Sequence, residues 1–144
     1  MAFTGNFMCT SFKVELMKGV HDFTNSSGNT FNIALYTNSA SFTAATTAYT
    51  SGNEVTGTAY VAKGNALVNV TPTSTSTTAF TDFGDSTWST STITARGAMI
   101  FNDTAAGDPS VVILDFGADK SSSAGDFVVV MPTADSSSAI IRIA

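Results

Sequence analysis

From Thr30 to its end the chain is written in short runs of β-branched and aromatic residues. Each run is closed by a cluster of Gly, Asn, Asp, Ser or Pro. Runs this short suit strands of about 5–6 residues better than helices of about 11–12. Residues 30–37 (TFNIALYT) alternate, placing Phe31, Ile33 and Leu35 on one face. Residues 54–62 (EVTGTAYVA) and 66–70 (ALVNV) read as two strands joined by a turn at Lys63, Gly64 and Asn65. Further strands are expected at 79–83, 87–90, 92–102, 126–132 and 139–144. Residues 110–116 (SVVILDF) have a continuous apolar middle, which predicts a central strand at 111–114 covered on both faces. Residues 71–78 (TPTSTSTT) read as a polar loop, and 39–50 as a small-residue loop or irregular edge carrying Phe42 and Tyr49. The pattern predicts an all-β chain: a two-sheet, mainly antiparallel β-sandwich, Ig-like or jelly-roll-like.

One segment departs from this period. Phe12, Leu16, Met17 and Val20 recur at helical spacing, with Thr10 or Ser11 as N-cap and Gly19 as a stop. A short helix is therefore expected within 10–23, after an N-terminal arm over 1–9. With 144 residues the chain has the length of a single domain, 1–144.

Composition narrows the function more by exclusion than by signal. More than a quarter of the residues are Ser or Thr, and only 12% are charged. There is one His (His21), one Cys (Cys9) and one Trp (Trp88). General acid–base and metal chemistry need several groups that titrate or ligate near neutral pH. No catalytic residue, cofactor or metal is expected. A lone Cys cannot make an internal disulfide, and Cys9 reads as a small buried apolar residue. His21-Asp22 could belong to a Ser-His-Asp set, but no G-x-S-x-G elbow marks a serine. Asp82 with Asp85, and Asp103 with Asp108, lie near turns without the register of a Ca²⁺ loop, so they read as turn residues. The net charge is −5, and the six basic residues are scattered, so no nucleic acid is expected as a partner. No apolar run reaches membrane-spanning length, and the N-terminal residues lack the pattern of a secretory signal. The chain is expected to be made in the cytoplasm of its producing cell.

The aromatics carry the positive signal. Phe3, Phe7 and Phe12 crowd the first dozen residues, ahead of any sheet they could cover. Each such ring can bury about 150–250 Å². An arm with this much apolar area packs either on its own sandwich or on a neighbour. The second option makes Phe3, Phe7, Met8, Phe42 and Tyr49 the candidate interface.

The order of blocks is also informative. A short helix is followed by NTFNIALYTNSASF (29–42), NEVTGTAYVAKGNALVNVTP (53–72), FTDFGDSTWSTSTITARGAMIFND (80–103) and SAGDFVVVMPT (123–133). This order resembles a group of small virion structural proteins of tailed, often marine, bacteriophages, and the resemblance covers nearly the whole chain. It implies a β-sandwich and a non-enzymatic place in the virion. Its partners would be other virion proteins, the major capsid protein or neck and tail proteins, in multiple copies or as a homo-oligomer. A capsid decoration or cement subunit is the leading expectation. A neck, collar or tail-fibre attachment protein is the alternative. A third reading is a carbohydrate-binding adsorption module, with Trp88, Tyr36, Tyr49 and Tyr60 as a stacking platform.

Overall fold

A computed structural model describes residues 3–144; Met1 and Ala2, the start of the expected arm, lie outside the described residues. After β1 (Phe7–Met8) and α1 (Thr10–Met17) come β2 (Phe31–Tyr36), β3 (Asn65–Ala66) and β4 (Asn69–Thr75). Then follow β5 (Thr78–Phe83), β6 (Ser86–Ser91), β7 (Thr94–Asn102), β8 (Ser110–Ser121), β9 (Gly125–Val129) and β10 (Ile141–Ile143). Every strand pair is antiparallel. The strands form a five-stranded sheet, β1-β8-β7-β2-β3, a three-stranded sheet, β10-β5-β4, and a two-stranded sheet, β6-β9. The fold is all-β and sandwich-like, as the alternation predicts.

The five-stranded sheet is covered on both sides. Register sets Phe31 beside Asn102, Ile33 beside Ile100 and Leu35 beside Ala98 on one face. The other face carries Ala34, Tyr36, Met99 and Phe101. All six residues of β2 are buried, where alternation alone would leave every second one wet. On the first face, Phe31 stacks on Phe23 at 4.4 Å and meets Phe83 of β5 at 5.6 Å. On the second, Tyr49 lies on Phe101 at 4.8 Å, and Phe42 meets Tyr36 edge-on at 4.8 Å.

The central strand is β7, not the expected 111–114 segment of β8, which borders β7 on one side and the two-residue β1 on the other. The apolar run of β8 reflects cover above and below the sheet, which Val111, Val112 and Ile113 receive. Cover on two faces carries no information about the number of strand neighbours.

The helix ends at Met17, well before residue 23. Gly19 is its stop, with φ +70°. Its N–H donates to the Leu16 carbonyl, and the Val20 N–H donates to the Glu15 carbonyl, a Schellman closure. The cap residue is Cys9 and has no side-chain cap bond, in place of the expected Thr10 or Ser11. Phe12 is fully buried, but Met17 is 83% exposed, so the helical apolar stripe is only half used.

Two segments exchange the roles that their sequences suggest. Residues 54–62 alternate like a strand, yet their backbone forms no ladder with the sheets, only isolated bridges from Tyr36 to Glu54 and from Thr58 to Thr92. Gly57 at φ +155° and Ala59 at φ +65° break the extended path. Residues 71–78 are no loop: they supply most of β4, the turn at Ser76 and Thr77, and the first residue of β5. Threonine favours strands whatever its polarity, so a two-sided polar hairpin resembles low complexity.

Candidate functional site

The five candidate interface residues separate into two groups. Phe3 is 1% exposed and Phe42 6%, and their rings meet edge-on at 5.7 Å. Phe3 lies over Gly97 of β7, where a Cβ would collide with the ring and with the Leu114 carbonyl oxygen. The arm is fastened by Gly5 N–H donating to Asp115 Oδ2 at 3.1 Å, and by Asp115 N–H donating to Asn6 Oδ1 at 2.7 Å. Phe3 and Phe42 are therefore core, correcting the expectation that they face a neighbour: a glycine slot in β7 gives the first ring an internal home. Phe7 and Met8 remain half-buried in β1. Tyr49 is partly buried on Phe101.

Tyr49 belongs to a dense polar constellation. Glu54 Oε2 accepts from Tyr49 Oη at 2.6 Å. Glu54 Oε1 accepts from Tyr60 Oη and from the Lys63 N–H, both at 2.7 Å. Tyr60 Oη in turn accepts from the Leu35 N–H at 2.8 Å, which ties the segment to β2. Lys63 Nζ reaches Asp103 Oδ1 at 2.8 Å and Asp108 Oδ2 at 2.9 Å, over the rings of Tyr49 and Phe101. Those two carboxylates hold the Lys63 ammonium protonated well above the usual lysine range. Its side chain is 41% exposed, so the pair fixes geometry more than it adds stability. The backbone behind it is tight: Gly64 has φ +64°, and a Cβ there would overlap the Ile33 carbonyl oxygen. The constellation clasps residues 49–63 to the sheet. Sequence reading passed over it. The available signal was that Tyr49, Glu54, Tyr60 and Lys63 stand close together in a stretch otherwise made of small neutral residues.

The clasp has a titration signature. Burial first, then the bond to Glu54, pushes the Tyr49 phenol up to about 12. Burial also raises Tyr36 and Tyr60. These are the chain's three tyrosines. Tyrosines of an unfolded chain titrate near ~10, so the folded state holds these protons more tightly. Their contribution to stability is whole below pH ~10 and is lost as pH rises through the folded values. A near-ultraviolet absorbance titration of the native protein is expected to show little tyrosinate until pH approaches about 12. A smooth curve with its midpoint near ~10 in still-folded protein would contradict the clasp.

His21 is also engaged. Asn102 Oδ1 accepts from the Thr104 and Ala105 N–H groups, which fixes the amide and turns Nδ2 toward His21 Nδ1 at 3.1 Å. His21 Nδ1 is thus an acceptor, and Nε2 carries the proton toward Glu15 Oε2 at 2.8 Å. Asp22 turns away, its Oδ1 accepting from Thr24. Among the described residues, the side-chain partners of His21 are thus Glu15 and Asn102 rather than Asp22 and a serine. Among the described residues, no three His, Cys, Asp or Glu side chains converge as a metal-holding group. The turn aspartates are occupied as well: Asp82 accepts from Phe83 and Ile140 N–H groups, and Asp85 accepts from Met131 N–H.

The stacking platform does not form. Tyr36 is fully buried and Trp88 is 2% exposed, wedged between Tyr60 and Phe127. The surface instead offers an open groove of about 710 Å³ between β1–β8 and the 129–142 segment. Phe7, Met8, Leu114, Val130 and Ile140 make its apolar wall. Comparison with protein-family models, curated proteins and solved structures finds no match to this chain.

Proposed function

We propose that this chain is a non-enzymatic structural subunit of a tailed-bacteriophage particle, a capsid decoration or cement protein acting through protein–protein contacts. What supports the reading most is where its few reactive groups go. Glu54, Lys63 and His21 are each spent on holding loops to the sheet. Phe7 and Met8, two of the candidate interface residues, line an apolar groove on the surface. The order of sequence blocks adds its resemblance to virion proteins. Short Ser and Thr side chains suit a contact surface, because ordering them costs less entropy than ordering Lys or Glu.

The neck, collar or tail-fibre alternative uses the same fold and differs in copy number. Quantitative mass spectrometry of purified particles from the producing phage tests both. A copy number comparable with that of the major capsid protein is expected. A copy number fitting one small ring moves the subunit to the collar or tail. Absence from washed particles overturns the virion reading.

A further inference from the structure

β9 has the sequence of an inner strand and the position of an edge strand. Residues 127–131 (FVVVM) are apolar at every position, the pattern of a strand covered on both faces. In the fold, Phe127, Val129 and Met131 are buried, while Val128 and Val130 are 45% and 73% exposed. β9 pairs with β6 alone, so its second edge is open. That edge borders a groove of about 410 Å³, whose far wall is Phe116, Lys120 and Ser121.

The other strands at sheet edges carry protections against pairing. β6, the other edge of the same two-stranded sheet, is mostly Ser and Thr, is bulged beside left-handed Thr90, and has its Thr87 carbonyl taken by the Asn65 amide. β1 and β3 are two residues long. β4 is Ser/Thr-rich and contains Pro72. β10 is three residues long and carries Arg142. Beyond β1, the free edge of β8 is broken by left-handed Gly117 and a register shift, and the Asp115 and Gly117 N–H groups are taken by side chains. Residues 127–131 have no Lys, no Pro and no other charge.

We infer that β9, continued by Val130 and Met131 past its last strand residue Val129, pairs antiparallel with the same segment of a second copy across a two-fold axis, joining two β6-β9 sheets into one of four strands. The occupant follows from self-complementarity. Centred on Val129, the two-fold sets Val128 of each copy opposite Val130 of the other, so the two exposed valines cover one another. Charge agrees. Asp126 is the only charge in β9, and this register offsets the two copies of it by six residues, about 20 Å at ~3.4 Å per residue. That exceeds the screening length of about 8–10 Å, whereas parallel in-register pairing would set the carboxylates side by side. A five-residue edge is smaller than a standard contact of about 800 Å² per partner, so the dimer is weak, with dissociation in the roughly micromolar range. The inference does not depend on the virion reading.

Sedimentation of the full chain over a wide concentration range tests it. A concentration-dependent rise from 14.9 kDa toward twice that mass is expected. Val130→Lys, at an exposed position, should weaken the dimer about tenfold or more and leave melting unchanged. The double substitution Val128→Glu with Val130→Lys sets opposite charges across the two-fold twice over, and should restore association. Should Val130→Lys fail to fold, Val130→Thr, near-isosteric and polar, takes its place and should weaken the dimer several-fold. A chain monomeric at every concentration, a dimer indifferent to these changes, or open-ended growth overturns the inference.

Discussion

Phe3→Ala is expected to lower the melting temperature of the isolated protein by roughly 10–15 °C. Truncating a buried Phe costs about 3–5 kcal/mol, and a domain of this size shifts by about 2–4 °C per kcal/mol. The ring is 1% exposed, capped by Phe42 and seated on Gly97, so its removal leaves a cavity that β7 cannot collapse to fill. Phe7→Ala, at a half-buried position in β1, should cost much less. Urea or thermal unfolding of both variants checks this. Equal, small effects would return Phe3 to the role of an outward-facing anchor.

The second large effect is expected at Glu54. Glu54→Ala strips the acceptor from three donors: two tyrosine hydroxyls and the Lys63 N–H. Buried donors left unpaired cost about 1–3 kcal/mol each. The loss should total about 3–4 kcal/mol, since Tyr49 reaches water in part. Glu54→Gln keeps an oxygen for Tyr60 and Lys63, and its amide can donate to the Tyr49 hydroxyl. It should therefore cost less than about 1.5 kcal/mol. Denaturant unfolding of both variants separates hydrogen bonding from packing. Indistinguishable losses would mean the clasp contributes through bulk alone.

The strands that β-branched and aromatic alternation marks, such as β2 and β7, were legible, and so was the Gly19 stop of α1. What stayed hidden depends on partners far away in sequence. Nothing near Phe3 announces that Gly97 leaves a slot for it. Ala34 and Tyr36 in β2 look like a solvent face until residues 40–60 are seen to fold over them. Polarity misled at β4, where threonine acts through its branched Cβ and not its hydroxyl. Alternation misled at 54–62, where Gly57 and Ala59 turn the chain. The Glu54 clasp was missed because its charges are few, and a count of ionisable groups says nothing about whether they converge.

The Phe3 slot also sets an order of events during synthesis. Its floor is Gly97 and its rim includes Leu114, so the pocket for Phe3 does not exist until β7 and β8, far later in the sequence, have left the ribosome. β5 pairs at once with β4 but waits for β10 as its second neighbour. Such long-range closure makes folding slow. A nascent chain therefore carries the apolar segment around Phe3 unburied while β2 to β8 are made, and chaperone binding there would have its widest window before Leu114 emerges.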